Sequence, residues 1–125
     1  MNKETINIGG HDYFMASSAY TQFAYKNLTG RSFLNDIQKL MNLDVEHIDV
    51  DEKMNEFENL MELLLNICFV MINEADSKQV DNYESFLKGI PSLFDDETWI
   101  EKTINLAVRP LSGRIQTTSS ATLSV

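Results

Sequence analysis

The segment "DVDEKMNEFENL", residues 49–60, opens with carboxylates two residues apart, as a calcium-binding loop does. Such a loop needs further oxygen ligands, a glycine at its sharp turn and a closing glutamate. Here Lys53 takes a ligand position, Met54 stands where the turn needs Gly, and Leu60 replaces the closing Glu. Calcium binding is not expected. The histidines, His11 and His47, have no neighbour at a metal-ligand spacing such as H-E-x-x-H. Asp95 and Asp96 read better as a helix start than as general acid and base. The single cysteine, Cys68, lies among Ile67, Phe69 and Val70, where a thiol behaves as a small core hydrophobe. It cannot form an intramolecular disulfide, and a reduced, intracellular setting is expected. No nucleophile, base and orienting group can be named together, so neither catalysis nor a cofactor is expected.

The elements that would position any binding residue follow from the hydropathy pattern. "ETINIGGHDYFMAS" predicts a β-hairpin: Ile6 and Ile8 alternate with polar residues, Gly9 and Gly10 suit a tight turn, and Tyr13 and Met15 resume the alternation. Those glycines lack the spacing of a phosphate-cradling loop. Ser17 or Ser18 is expected to cap a helix running to about Leu28, with Tyr20, Phe23, Ala24 and Leu28 forming its core face and Gly30 just past its end. Ser32 opens a second short helix, on which Phe33, Leu34, Ile37, Leu40 and Met41 recur at helical spacing.

A long helix is predicted from about Asp49 or Asp51 to Ala75. Asn55, Asn59, Glu62, Asn66 and Asn73 draw a narrow polar stripe along it, and nearly everything else from Met54 onward is apolar. "LMELLLNICFVMI", residues 60–72, is too short to span a membrane and carries a carboxylate. It must therefore be covered by its own bundle or by a partner. "SKQVDNYESFLKGIP" predicts a fourth helix with Val80, Tyr83, Phe86, Leu87 and Ile90 inward, and "SLFDDETWIEKTINLAV" a fifth, capped near Asp95 or Asp96 and ended by Pro110. The expected fold is mainly α: an N-terminal hairpin, then about five helices around a long central apolar helix. Residues 1–111 form one domain, and the Ser/Thr-rich residues 112–125 are expected to be a flexible tail.

Charge narrows the partners. The net charge is −9, and residues 44–62 alone hold eight carboxylates against Lys53. No basic patch is present to displace counterions from phosphate, so direct nucleic-acid binding is not expected. A solvated loop and helix start explain the acidic block, and steering of a basic partner is the alternative. No secretory leader is evident, so "NLT" at Asn27–Thr29 carries no meaning as a glycosylation acceptor.

The order of elements is more informative than the chemistry. A hairpin leads into "FMASSAYTQFAYKNLTGRSFLNDIQKL", Phe14 to Leu40, in which a helix bearing the pair Tyr25 and Lys26 ends at Gly30 and a second short helix begins at once. A loop, the long apolar helix and "YESFLKGIPSLFDDETWIEKTINL" follow. Over most of Thr5 to Leu106 this resembles the small tail assembly chaperones of long-tailed bacteriophages and prophages. The resemblance implies a non-catalytic protein of the host cytoplasm that coats the apolar, helical tape measure protein, assists assembly of the tail tube protein and leaves before the virion is complete. It also implies possible self-association, and in many such systems a second, longer product made by translational frameshift. Met54, Phe57, Met61, Phe69 and Met71 on the long helix could line a groove for the client. Equally, all five could be core, the usual fate of a methionine stripe at helical spacing. The competing reading is a small acidic helical adaptor or inhibitor acting by charge mimicry.

Overall fold

A computed structural model describes residues 2–42 and 50–111 of the chain, with side chains outside 50–56. Strands β1 (Asn2–Ile8) and β2 (His11–Ser17) form an antiparallel hairpin in which Ile6 faces Tyr13 and Glu4 faces Met15. Gly9 and Gly10 join them with φ of 62° and 90°, the positive pair a type I′ turn requires. A Cβ on Gly9 would stand 2.5 Å from the Ser92 carbonyl oxygen, so that turn is also closed to side chains by packing.

Five helices follow among the described residues: α1 (Tyr20–Thr29), α2 (Phe33–Met41), α3 (Val50–Ala75), α4 (Tyr83–Lys88) and α5 (Thr98–Val108), the last running into a short 3-10 turn, Arg109–Leu111. The fold is mainly α with an N-terminal hairpin. One face of the hairpin, carrying Ile6, Ile8, Tyr13 and Met15, lies on α3 and α5, and α1, α2 and α4 pack around α3. Leu64, Ile67, Cys68, Met71 and Ile72 of α3 have no solvent exposure. Asn59 and Glu62 of its polar stripe are exposed, and Asn66 and Asn73 are half-buried, so the stripe is the side that faces water.

Local signals account for most boundaries. Gly30 takes the left-handed conformation (φ 73°) and its N–H donates to the Lys26 carbonyl, closing α1. The Ser32 hydroxyl accepts from the Asn35 N–H and opens α2. The fourth helix is shorter than its apolar pattern predicts. Asp76 turns back to accept from the Lys78 N–H, and the helix starts only where the Asn82 side chain accepts from the Ser85 N–H. Leu87, expected inward, is exposed. The fifth begins at Thr98, because the Asp96 carboxylate accepts from both the N–H and the hydroxyl of that residue. Those bonds hold the Asp96 carboxyl below its ordinary range.

The first helix is rotated from its expected orientation, although Ala24 packs against the core as expected. Its buried side chains are Thr21 and Tyr25, whereas Tyr20, Phe23 and Leu28 are exposed. The reason is hydrogen bonding: the Thr21 hydroxyl donates to Glu74 (2.6 Å) and the Tyr25 hydroxyl donates to Asp36 (2.7 Å). A buried partner for Tyr25 and a half-buried one for Thr21 set the rotation of the helix against the pull of its apolar side. The serines divide differently as well. Ser17 is buried and donates to the Leu106 carbonyl, while the Ser18 hydroxyl accepts from the Tyr20 N–H.

Candidate functional site

The long helix was the sequence's candidate for a client groove, and its own chain covers most of it. Met61 is 6% exposed, Phe69 8% and Met71 not at all. Phe69 meets Tyr83 edge-on (ring centroids 5.5 Å apart) and Phe86 at 6.1 Å, so α4 occupies the strip expected to be free. Phe57 is half-buried against Phe94, their centroids 5.6 Å apart, and Phe94 is itself exposed. Met54 lies within α3, but its side chain falls outside the described set. The four whose side chains are described therefore do not converge on one open groove. Met61, Phe69 and Met71 are packed, and Phe57 borders solvent.

Large apolar side chains reach water elsewhere. Phe14 on β2, Tyr20, Phe23 and Leu28 on α1, Leu87 on α4 and Phe94 before α5 are the exposed ones among the described residues. Half of these six sit on one ten-residue helix, and Tyr20 (59%) and Phe23 (62%) are the most exposed of all. At 100° per residue Phe23, Tyr20 and Leu28 are spread over about 140° of the helix, with exposed Asn27 between Phe23 and Tyr20 and half-buried Ala24, packed on the core, between Tyr20 and Leu28.

Two polar clusters hold that helix in place. At its start the Ser18 and Thr21 hydroxyls donate to the two carboxylate oxygens of Glu74, at 2.5 and 2.6 Å, tying α1 to the last turn of α3. At its end Tyr25 donates to Asp36, which also accepts Nε of Arg31 at 2.8 Å and a second guanidinium nitrogen at 2.9 Å. Asp36 is 1% exposed. Burial alone would raise its carboxyl. The Arg31 and Tyr25 hydrogen bonds and the charges of Arg31 and Lys39 outweigh that and hold it below the carboxylate range. Burial, followed by the bond to Asp36, pushes the Tyr25 hydroxyl well up. This is bidentate, charge-assisted pairing, the strong form of such a contact.

The chain matches no known protein family, curated protein or solved structure. Its candidate site rests on its own geometry. Among the described residues no three His, Cys, Asp or Glu side chains are grouped to hold a metal, and no helix is long and apolar enough to cross a membrane.

What the arrangement can do is bind. Sequence reasoning placed Tyr20 and Phe23 in the core because hydropathy alone cannot tell an inward apolar stripe from an outward one. The signal that distinguishes them lies in the neighbouring face: Thr21 and Tyr25, four residues apart and both buried, are a hydroxyl pair that needs acceptors, and buried Asp36 and half-buried Glu74 supply them.

Proposed function

We propose that this protein is a bacteriophage tail assembly chaperone that binds the tape measure protein without catalysis and assists tail tube assembly. The reading rests on the order of elements: a hairpin, a helix ending at Gly30, a second short helix started at once by Ser32, and a long apolar helix wrapped by the rest. The single observation in its favour is the outward placing of Tyr20, Phe23 and Leu28 on α1, held there by the hydrogen bonds of Thr21 and Tyr25. A protein that keeps an apolar helical client soluble needs such a surface and needs it rigid. Acting in the host cytoplasm and leaving before virion completion follow from that role.

The acidic-adaptor reading draws on the net charge of −9. The two differ in where the partner sits. Co-expression with the tape measure protein tests the first: the chaperone keeps the tape measure soluble and co-purifies with it, whereas a tape measure that aggregates regardless rejects the proposal.

A further inference from the structure

We propose that the free edge of β1 pairs with β1 of a second copy of this chain, joining two hairpins into one four-stranded antiparallel sheet about a two-fold axis. The inference rests on the hairpin and stands apart from the chaperone reading.

The two edges of the hairpin are treated differently. Gln79 bonds both the N–H and the carbonyl of Phe14, so that residue points its backbone groups away from β1. Thr5 lies opposite Phe14 in the register, and in an antiparallel ladder such a pair turns its backbone outward on both strands. Lys3 and Asn7, two residues to either side, point outward with Thr5. Among the described residues no hydrogen bond reaches the N–H or carbonyl of any of the three, and all three are exposed. One edge carries a cap; the other presents a row of unmet donors and acceptors, the template on which another strand forms.

The charges that would discourage pairing are turned aside. A lysine on an edge strand ordinarily keeps other strands away. Here the Lys3 ammonium lies over the Phe14 ring of β2, 5.9 Å from its centroid, and Glu4 is engaged by Arg109 at 2.8 Å. The strand itself holds one lysine and one glutamate, so it is neutral in a chain of net charge −9. A second copy meets β1 without the repulsion that the acidic remainder of the surface would impose.

Register commits the edge to its own copy. Thr5 is the midpoint of the seven-residue strand. A two-fold axis there sets Thr5 against Thr5 of the second copy and Lys3 against Asn7, and every outward group of both strands is used, in about six hydrogen bonds. The central Thr pair is itself a favourable cross-strand contact. Sliding the strands toward their N-termini sets Glu4 against Glu4 or Lys3 against Lys3, whereas sliding them the other way runs into the Gly9 and Gly10 turn and loses bonds.

Sedimentation equilibrium of the full chain from micromolar to millimolar concentration should show a reversible monomer–dimer equilibrium. Thr5→Pro removes an N–H that the hairpin does not use, so it should keep the melting temperature while raising the dimer dissociation constant at least about tenfold. Two cysteine variants read the register. In the dimer the Cα atoms of the two copies lie about 5.5 Å apart at position 5, within disulfide reach, and about 14 Å apart at position 3. Under copper-phenanthroline oxidation Thr5→Cys is therefore expected to give a covalent dimer and Lys3→Cys is not, the native Cys68 being buried. A chain that stays monomeric at millimolar concentration, a dimer that a folded Thr5→Pro leaves as tight, or crosslinking at position 3 as fast as at position 5 overturns the proposal. Should Thr5→Pro fail to fold, the cysteine pair decides it.

Discussion

Asp36 does more for this fold than its single charge suggests, because it joins the C-terminal part of α1, the Arg31 loop and α2 through three hydrogen bonds. Replacing it with alanine leaves the buried Tyr25 hydroxyl without an acceptor and should cost about 2–4 kcal/mol, measured by urea denaturation. The pH dependence has a fixed sign. The folded carboxyl titrates below its unfolded value of about 3.9, so its contribution is complete above that pH and lost as pH falls through the lower, folded value. Tyr25 acts at the other end. Its hydroxyl is raised, so its contribution is full below about pH 10 and lost on going above it. The acid limb should be flatter in Asp36→Asn, as followed by melting temperature against pH. Cys68 is fully buried, and burial pushes its thiol up to about 12 although its contact with Thr103 opposes the rise. It should resist alkylation by a maleimide in the native state and react at the rate of unfolding; rapid native labelling would show that the core opens more readily than this packing allows.

At the scale of elements, the outer edge of β2 is closed by a side chain. The Gln79 amide accepts from the Phe14 N–H at 2.9 Å and donates to the Phe14 carbonyl at 2.6 Å, as a neighbouring strand would. Gln79→Ala should therefore cost about 1–2 kcal/mol and raise amide exchange at Phe14. A larger contrast lies between two aromatic helices. Phe69→Glu places a charge among Tyr83 and Phe86 and should abolish the cooperative thermal transition, whereas a soluble, cooperatively folded variant would return that position to the list of binding surfaces. The sequence disclosed the elements with local punctuation: two glycines with positive φ in the hairpin turn, Gly30 and Ser32 at helix ends, and a 26-residue α3 with a polar stripe. It misread α4, whose limits depend on side-chain hydrogen bonds at Asp76 and Asn82, whereas the start of α5 near Asp96 was legible. The rotation of α1 was misread as well. Hydrophobic periodicity describes one helix at a time, and the acceptors that turned it, Asp36 and Glu74, belong to other helices.

Taken as a whole, the molecule places a covered apolar helix at its centre and leaves Tyr20, Phe23 and Leu28 of α1 exposed at its surface. The long helix, whose apolar run asked for a cover, has one: the hairpin, α1, α2, α4 and α5 enclose its residues from Leu60 to Ile72 with its polar stripe turned to water. The residues expected to meet a client are for the most part those that hold the protein together, and exposed apolar side chains are left over on α1. Charge follows a similar division, with cationic side chains around α1 and α2 in a chain whose net charge is −9. An apolar contact survives screening, and a contact made by charge mimicry does not. The most direct measurement is soluble co-purification of the tape measure protein with this chain in low and then high salt. A chaperone holds its client in both; a tape measure that stays insoluble, or is released as salt rises, contradicts the account and favours an acidic adaptor.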